Sequence, residues 1–278
     1  MRGDGSDLRV LIIVPAWNEQ DSIAATVTEI RTCLPTADLL VVDDGSTDRT
    51  YERATGAGAI VCSLPYNLGV GGAMRTGYRH ALREGYDVAV QIDADGQHDP
   101  RFLPRLLERL DAADVVIGAR FADKDDPYKV RGPRRWAMVM LAAVLSRVAK
   151  ARLTDVTSGF RVSNRRAISV FAAHYPAEYL GDTVESLVIA SRAGCTVTQV
   201  PVTMRARAAG TASQSPYKAT LYLFRAVVAL LLALVRDWPA QFDDGVTKAD
   251  TQVRPDAAGG PDAAHPDAPG TDPTEVRR

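Results

Sequence analysis

Residues 86–100 read Tyr86-Asp87-Val88-Ala89-Val90-Gln91-Ile92-Asp93-Ala94-Asp95-Gly96-Gln97-His98-Asp99-Pro100. The largely apolar run at 88–92 stops at Asp93. Two carboxylates at a spacing of two, Asp93 and Asp95, are then followed by Gln97. A short β-branched run bounded by polar residues and glycine predicts a buried strand. Carboxylates and an amide just past the carboxyl end of such a strand are hard oxygen ligands, suited to Mg²⁺ or Mn²⁺ shared with a phosphate. In open α/β sheets, ligands bind outside the carboxyl ends of the strands. Asp93, Asp95 and Gln97 are therefore the first candidates for a metal–diphosphate site. The plainer reading of the same residues is a solvated turn after a strand.

Upstream and downstream the same pattern repeats. Residues 10–14 form an aliphatic run that predicts a first strand, with Pro15-Ala16-Trp17-Asn18-Glu19 as a loop. Asp21 or Ser22 can cap a helix running to about residue 34. A second strand is expected at 39–42, ending in Asp43-Asp44-Gly45-Ser46, then a short helix at 50–57 and a third strand at 59–63. The Gly-rich turn at 69–72 leads into a helix at 73–84. It either lets backbone approach a phosphate or simply makes a tight turn. After the 88–92 strand come a helix at 100–110 and a fifth strand at 115–118. This alternation predicts an α/β fold, a doubly wound, mostly parallel sheet with helices on both faces. The polar strand ends, Glu19, Asp44 and Asp93/Asp95, should then lie together. Such a cluster repels itself unless a cation or hydrogen-bond donors are present.

The chain has 278 residues, 46% of them hydrophobic, enough for a sizeable core. Its formal net charge of −1 argues against bulk attraction to nucleic acid. Residues 120–166 hold twelve Lys/Arg against four Asp, about +8, so the remainder carries about −9. The three cysteines, Cys33, Cys62 and Cys195, lack metal spacing and fit a reducing compartment. Residues 1–8 are polar and show no secretory signal pattern. No apolar run reaches the ~18 residues of a spanning helix.

The second half reads differently. A helix at 134–149 is apolar on nearly every side and is flanked by Arg131, Arg134 and Arg135 at one end and by Arg147, Lys150 and Arg152 at the other. It is a core helix with charged ends or a helix facing an anionic membrane. A polar loop at 155–161 precedes a helix at 165–173. A helix at 182–193 with Asp182 and Glu185 on one face, a strand at 197–202 and a last helix at 217–235 follow. The uninterrupted apolar part of that last helix, 226–235, is ten residues, about 15 Å long and too short for a bilayer core of about 30 Å. It could bind lipid, pack on the domain, or dock a small membrane protein. Residues 1–7 are expected to be flexible. The catalytic domain is expected at 8–238, divided near residue 120, with a disordered, Asp/Pro/Ala/Gly-rich tail at 239–278.

Five blocks give this chain a family resemblance: Val14-Pro15-Ala16-Trp17-Asn18-Glu19; Val41-Val42-Asp43-Asp44-Gly45-Ser46-Thr47-Asp48; Asn67-Leu68-Gly69; Asp93-Ala94-Asp95-Gly96-Gln97-His98; and Gly118-Ala119-Arg120 with Ser158-Gly159-Phe160-Arg161. In this order, over roughly residues 8–235, the chain resembles the family 2 glycosyltransferases of GT-A fold, and among them the dolichyl- or polyprenyl-phosphate sugar synthases. The resemblance implies that Pro15, Trp17, Glu19, Val42 and Asp44 hold the base and ribose of a nucleotide-sugar. It implies that Asp93, Ala94, Asp95 and Gln97 hold the metal and diphosphate. Arg120 would contact donor or acceptor phosphate, and Arg207 would close over the donor. Two positions depart from the family pattern: Ser213 stands where relatives often carry lysine, and Trp17 where tyrosine is common.

The chemistry follows from charge. Negative charge grows on the leaving diphosphate, and a divalent metal offsets it. A sugar-hydroxyl acceptor needs a base, for which Asp182 is the candidate and Glu185 the second choice. A lipid phosphate needs no base but needs cations, and Arg120, Arg131, Arg134 and Arg161 are the candidates. The expectation is an inverting, metal-dependent hexose transfer from a nucleotide-sugar (GDP-mannose or UDP-glucose type) to polyprenyl phosphate, on the cytoplasmic face of the membrane. Transfer to a saccharide hydroxyl in envelope polysaccharide synthesis is the alternative, and nucleotidyl transfer a more distant one.

Overall fold

Strand β1 (Val10–Ala16) is aliphatic on both faces because both faces are covered. Leu11 and Ile13 enter one core and Ile12 and Val14 the other, all fully buried. The computed structural model describes residues 8–120, 133–176 and 182–205. All of these fall within the unit Met1–Phe242. The segments expected to be a flexible N-terminus, a last helix and a disordered tail lie outside the described residues.

The chain alternates as expected. Helix α1 (Ile23–Cys33) leads to β2 (Asp38–Asp43), α2 (Thr50–Gly56) to β3 (Ile60–Ser63), and α3 (Gly69–Arg83) to β4 (Val88–Gln91). Helix α4 (Leu103–Glu108), with a 3₁₀ turn at each end, leads to β5 (Val115–Ala119). Then come α5 (Pro133–Val148), β6 (Arg161–Asn164), α6 (Arg165–His174), α7 (Asp182–Arg192) and β7 (Val197–Pro201). They build a seven-stranded sheet in the order β3-β2-β1-β4-β6-β5-β7. Its pairs are parallel except those of β6, which runs antiparallel between β4 and β5. The sheet therefore crosses the division expected near residue 120.

One core holds Tyr78, Phe171 and Tyr175, whose rings meet at 5.0–5.4 Å, together with Leu141 and Leu145 of α5 and Leu187 of α7. The other holds Val27 of α1, Leu103 and Leu106 of α4, and Phe160. Gly77 lets α3 lie directly on β1, since a Cβ there would come within 2.4 Å of Ile13 Cγ2.

Three expectations need correction. Strand β1 continues through Pro15 to Ala16, which pairs with Asp43 of β2. Helix α3 begins at Gly69, so the glycines expected in a turn are its first residues. Strand β6 takes Arg161 from the end of the expected loop and fills 162–164, for which no element was expected. Among the described residues no helix is long and apolar enough to cross a membrane.

The functional consequence is geometric. The parallel strands deliver Ala16, Asp43, Ser63, Gln91, Ala119 and Pro201 to one edge of the sheet. Strand β6 starts at that edge because it runs the other way, which sets Arg161 beside Gln91 and Ile117.

Candidate active site

The turn after β4 is fixed from within. Asp95 Oδ1 accepts from the Gln97 N–H at 3.0 Å, an Asx-type turn, and Gly96 takes a φ of 74° that favours glycine. The buried Thr26 hydroxyl of α1 donates to Ala94 O at 3.1 Å. Asp99 then caps the 3₁₀ turn by accepting from the Arg101 N–H. The Arg101 side chain and Arg205 Nη2, at 2.8 Å, also bind Asp99 and hold its carboxyl down at about 2 against the effect of burial. Arg205 further pairs with Glu29 at 2.8 Å.

Asp93 stands at the mouth of this turn with its side chain 40% exposed. The Gln91 amide lies 3.5 Å from Oδ1. A Cβ on Gly159 would sit 2.9 Å from both carboxylate oxygens, so only glycine leaves room for Asp93 there. Among the described residues no three His, Cys, Asp or Glu side chains converge to enclose a cation. Asp93 and Asp95, with Gln97 beside them, would give Mg²⁺ or Mn²⁺ a partial set of oxygen donors. That fits cations which complete an octahedron with phosphate oxygens and water.

The neighbouring loops hold the other expected residues at the same edge, in different states. Trp17 is about half exposed, and Pro15 is half-buried in β1. Glu19 Oε2 accepts from the Ser22 hydroxyl at 2.8 Å, and its N–H donates to Thr50 Oγ1. Asn18 and Ser46 lace this loop to the one after β2. Asp44 is buried and accepts from the N–H groups of Leu68 and Gly69, at 2.7 and 2.8 Å. Burial raises its carboxyl above the usual range although those two N–H groups work the other way. The start of α3 is therefore capped by Asp44 and does not present those two N–H groups to a phosphate. The expected repulsion between strand-end carboxylates is relieved here by backbone donors. Val42 is fully buried in the core. Its side chain has no exposed surface, so its main chain is what is left to meet the base or ribose that Val42 is expected to hold.

Arg120 follows β5 directly. Its Nε and Nη2 grip Asp155 at 2.7 and 3.0 Å, and Nη2 also reaches Thr157 Oγ1 at 2.7 Å. Burial pushes Asp155 up, but Arg120 outweighs it and holds the carboxyl below its usual range. Arg161 corrects another expectation. It is 1% exposed and donates to Ser158 O, Val156 O, Thr183 O and Ser186 Oγ. These bonds tie the loop before β6 to the start of α7, and they leave Arg161 unable to meet an acceptor phosphate at the surface.

Asp182, the first residue of α7, is buried, with Oδ2 lacking a hydrogen-bond partner among the described residues. Burial pushes its carboxyl up to about 6; Arg161 opposes this and the charge of Asp93 adds to it. Arg131 and Arg207 lie outside the described residues. Arg134 is placed in α5, but its side chain is outside the description.

Sequence reasoning missed Asp155, Gln91, Gly159 and His98 as supports. A polar Gln91 inside the 88–92 run was the available signal for one of them. Asp155 is distant in sequence from Arg120 and gave none.

Fold and edge together define a class, an α/β protein built to hold a ligand over the carboxyl ends of its strands. The sequence model of Glycosyl transferase family 2 matches residues 11–171. The undecaprenyl-phosphate mannosyltransferase of Micrococcus luteus is 36% identical over 75% of this chain and 88% of its own length. The polyprenol monophosphomannose synthase of Mycolicibacterium smegmatis is 30% identical over 74% and 81%. Among solved structures, glucosyl-3-phosphoglycerate synthase from Mycobacterium tuberculosis, in complex with Mn²⁺, UDP and phosphoglyceric acid, superposes with a TM-score of 0.62. It is 22% identical, covers 83% of this chain and 80% of its own, and speaks for the fold alone. The chain belongs to glycosyl transferase family 2, and the protein is a glycosyltransferase with GT-A architecture.

Proposed function

We propose that the protein transfers a hexose, with inversion, from a nucleotide-sugar of GDP-mannose or UDP-glucose type to polyprenyl phosphate, working peripherally on the cytoplasmic face of the membrane. One observation carries the acceptor class. Two relatives alike over 88% and 81% of their own lengths are named for an undecaprenyl-phosphate and a polyprenol monophosphate product or substrate.

In this reading Trp17 offers the base a stacking face, and Asp93, Asp95 and Gln97 hold Mg²⁺ or Mn²⁺ against the donor diphosphate. The cation, when bound, offsets the charge that grows on the leaving group. Arg120, its guanidinium set by Asp155, meets a phosphate at the same edge. Arg131 and Arg134 add cations for the acceptor, and Arg207 contacts the donor. A lipid phosphate is already an anion and needs no base. Helix α5 supplies a lipid-facing surface, and the 217–235 segment, outside the described residues, binds lipid, packs on the domain or docks a small membrane protein. The formal net charge of −1 gives nucleic acid no bulk attraction.

The test is a panel of radiolabelled donors with polyprenyl phosphate and Mn²⁺. Label should enter the lipid fraction with release of a nucleoside diphosphate. Asp95→Ala should lower the rate at least ~100-fold while the circular dichroism spectrum is unchanged. Full activity in that variant, or in excess chelator, overturns the metal role. Label found solely on saccharide overturns the acceptor. For that second reading Asp182 is the candidate base, with an Oδ2 that has no hydrogen-bond partner among the described residues and a carboxyl that burial pushes up to about 6.

A further inference from the structure

His98 holds Asp93 by its main chain. The Asp93 N–H donates to His98 Nδ1 at 3.0 Å, while His98 Nε2 lies 3.6 Å from Asp93 Oδ2, beyond hydrogen-bond reach. Because Nδ1 is the acceptor, the proton of the neutral ring sits on Nε2. The ring has no freedom to turn. It is 4% exposed and lies flat on the buried Phe160, with centroids 5.0 Å apart and an interplanar angle of 14°. Its main chain is held as well, by the bridge to Met204 and by the Arg205 N–H donating to Gln97 O at 3.0 Å.

We propose that His98 is a positioning residue for Asp93, fixing its main chain through Nδ1 so that the open side of the carboxylate faces the cation. The inference rests on the reading of Asp93 as a cation ligand. The surroundings account for the direction. Gln91 Nε2 is set against Oδ1, and the missing side chain of Gly159 makes the wall behind both oxygens. His98 supplies the remaining constraint, on the main chain from which that carboxylate springs. A packing role alone would ask only for a flat ring on Phe160; this role asks for the Nδ1 acceptor as well. Partners that orient a metal ligand typically govern affinity by ~10–100-fold.

The probe is Mn²⁺, titrated by electron paramagnetic resonance into the full-length protein with GDP and, separately, with UDP. Asp93→Ala is the benchmark. His98→Phe keeps the packing and removes both nitrogens; His98→Asn keeps an acceptor near Nδ1; His98→Gln keeps a donor near Nε2 and serves as the control. Mn²⁺ should bind ~10–100-fold more weakly to His98→Phe, with part of the loss recovered in His98→Asn and less in His98→Gln. A folded His98→Phe that binds Mn²⁺ like the parent, while Asp93→Ala does not, overturns the inference and leaves Asp93 a ligand. An Asp93→Ala variant that binds like the parent overturns the reading beneath it. If the His98 variants do not fold, ¹⁵N-histidine NMR of a protein lacking His80, His174 and His265 decides. The Nε2–H tautomer and a shifted Nε2 signal on adding Mg²⁺ with GDP or UDP are expected. The opposite tautomer, or an unmoved signal with both nucleotides, overturns the inference.

Discussion

Asp182 and Arg161 show how far a residue's role depends on burial. Both carry charge, and either could be expected to meet substrate. Arg161 instead spends its guanidinium on three carbonyls and a hydroxyl inside the protein. Asp182 sits beside it with a carboxyl pushed up to about 6. The sign of the pH effect follows. An unfolded aspartate ionises near 3.8, so between about pH 4 and pH 6 the unfolded state loses a proton that the folded state keeps. Stability falls through that window, by up to about 3 kcal/mol. Asp182→Asn should therefore raise the melting temperature at pH 7.5, and the gain should vanish below pH 4. Its activity reports the acceptor: a lipid phosphate tolerates the change, and a sugar hydroxyl loses ~100-fold or more. The acidic turn at Asp93–Gln97 was legible because its residue types and spacing state their chemistry. Arg161 was misread because a motif names a residue and not its exposure.

At the scale of elements, the parallel strands could be read from their aliphatic runs, since strands buried on both faces show such runs. Strand β6 could not. Its four residues, Arg161 to Asn164, contain one aliphatic side chain, Val162. The others face polar partners: Ser163 Oγ lies 3.3 Å from Tyr78 Oη, and Asn164 caps α6. A strand stabilised by such contacts leaves no periodic apolar signal. The start of α3 was misplaced for a related reason. Glycines suggest a turn, but these are tolerated in a helix whose first N–H groups Asp44 caps from the loop after β2. Asp44→Ala should cost about 2–4 kcal/mol, read as a lower urea midpoint with an unchanged slope. Asp44→Asn, which keeps one acceptor, should lose less.

At the scale of the molecule, the basic stretch at 120–166 looks different once folded. Arg120 is held by Asp155, Arg161 is buried, Arg165 donates to Tyr86 O, and Arg166 lies 3.7 Å from Asp114. Four of the twelve basic residues of that stretch are thus engaged within the protein, and in the proposed function attraction to an anionic membrane is left to the others. The sheet order also forbids a functional first half. A fragment ending at Ala119 has β4 and β5 but not the strand between them. It should elute from size-exclusion chromatography as aggregate, because an unpaired apolar strand edge recruits other chains. A monomeric fragment with native circular dichroism would contradict this.

The antiparallel β6 also sets a timetable for biosynthesis. From Gln91, the end of β4, to Asn164, the end of β6, the ribosome must add 73 more residues. At ordinary translation rates this takes about 4–15 s. Through that interval the newborn chain carries an open β-edge beside its own acidic turn, a window in which a chaperone would find its grip.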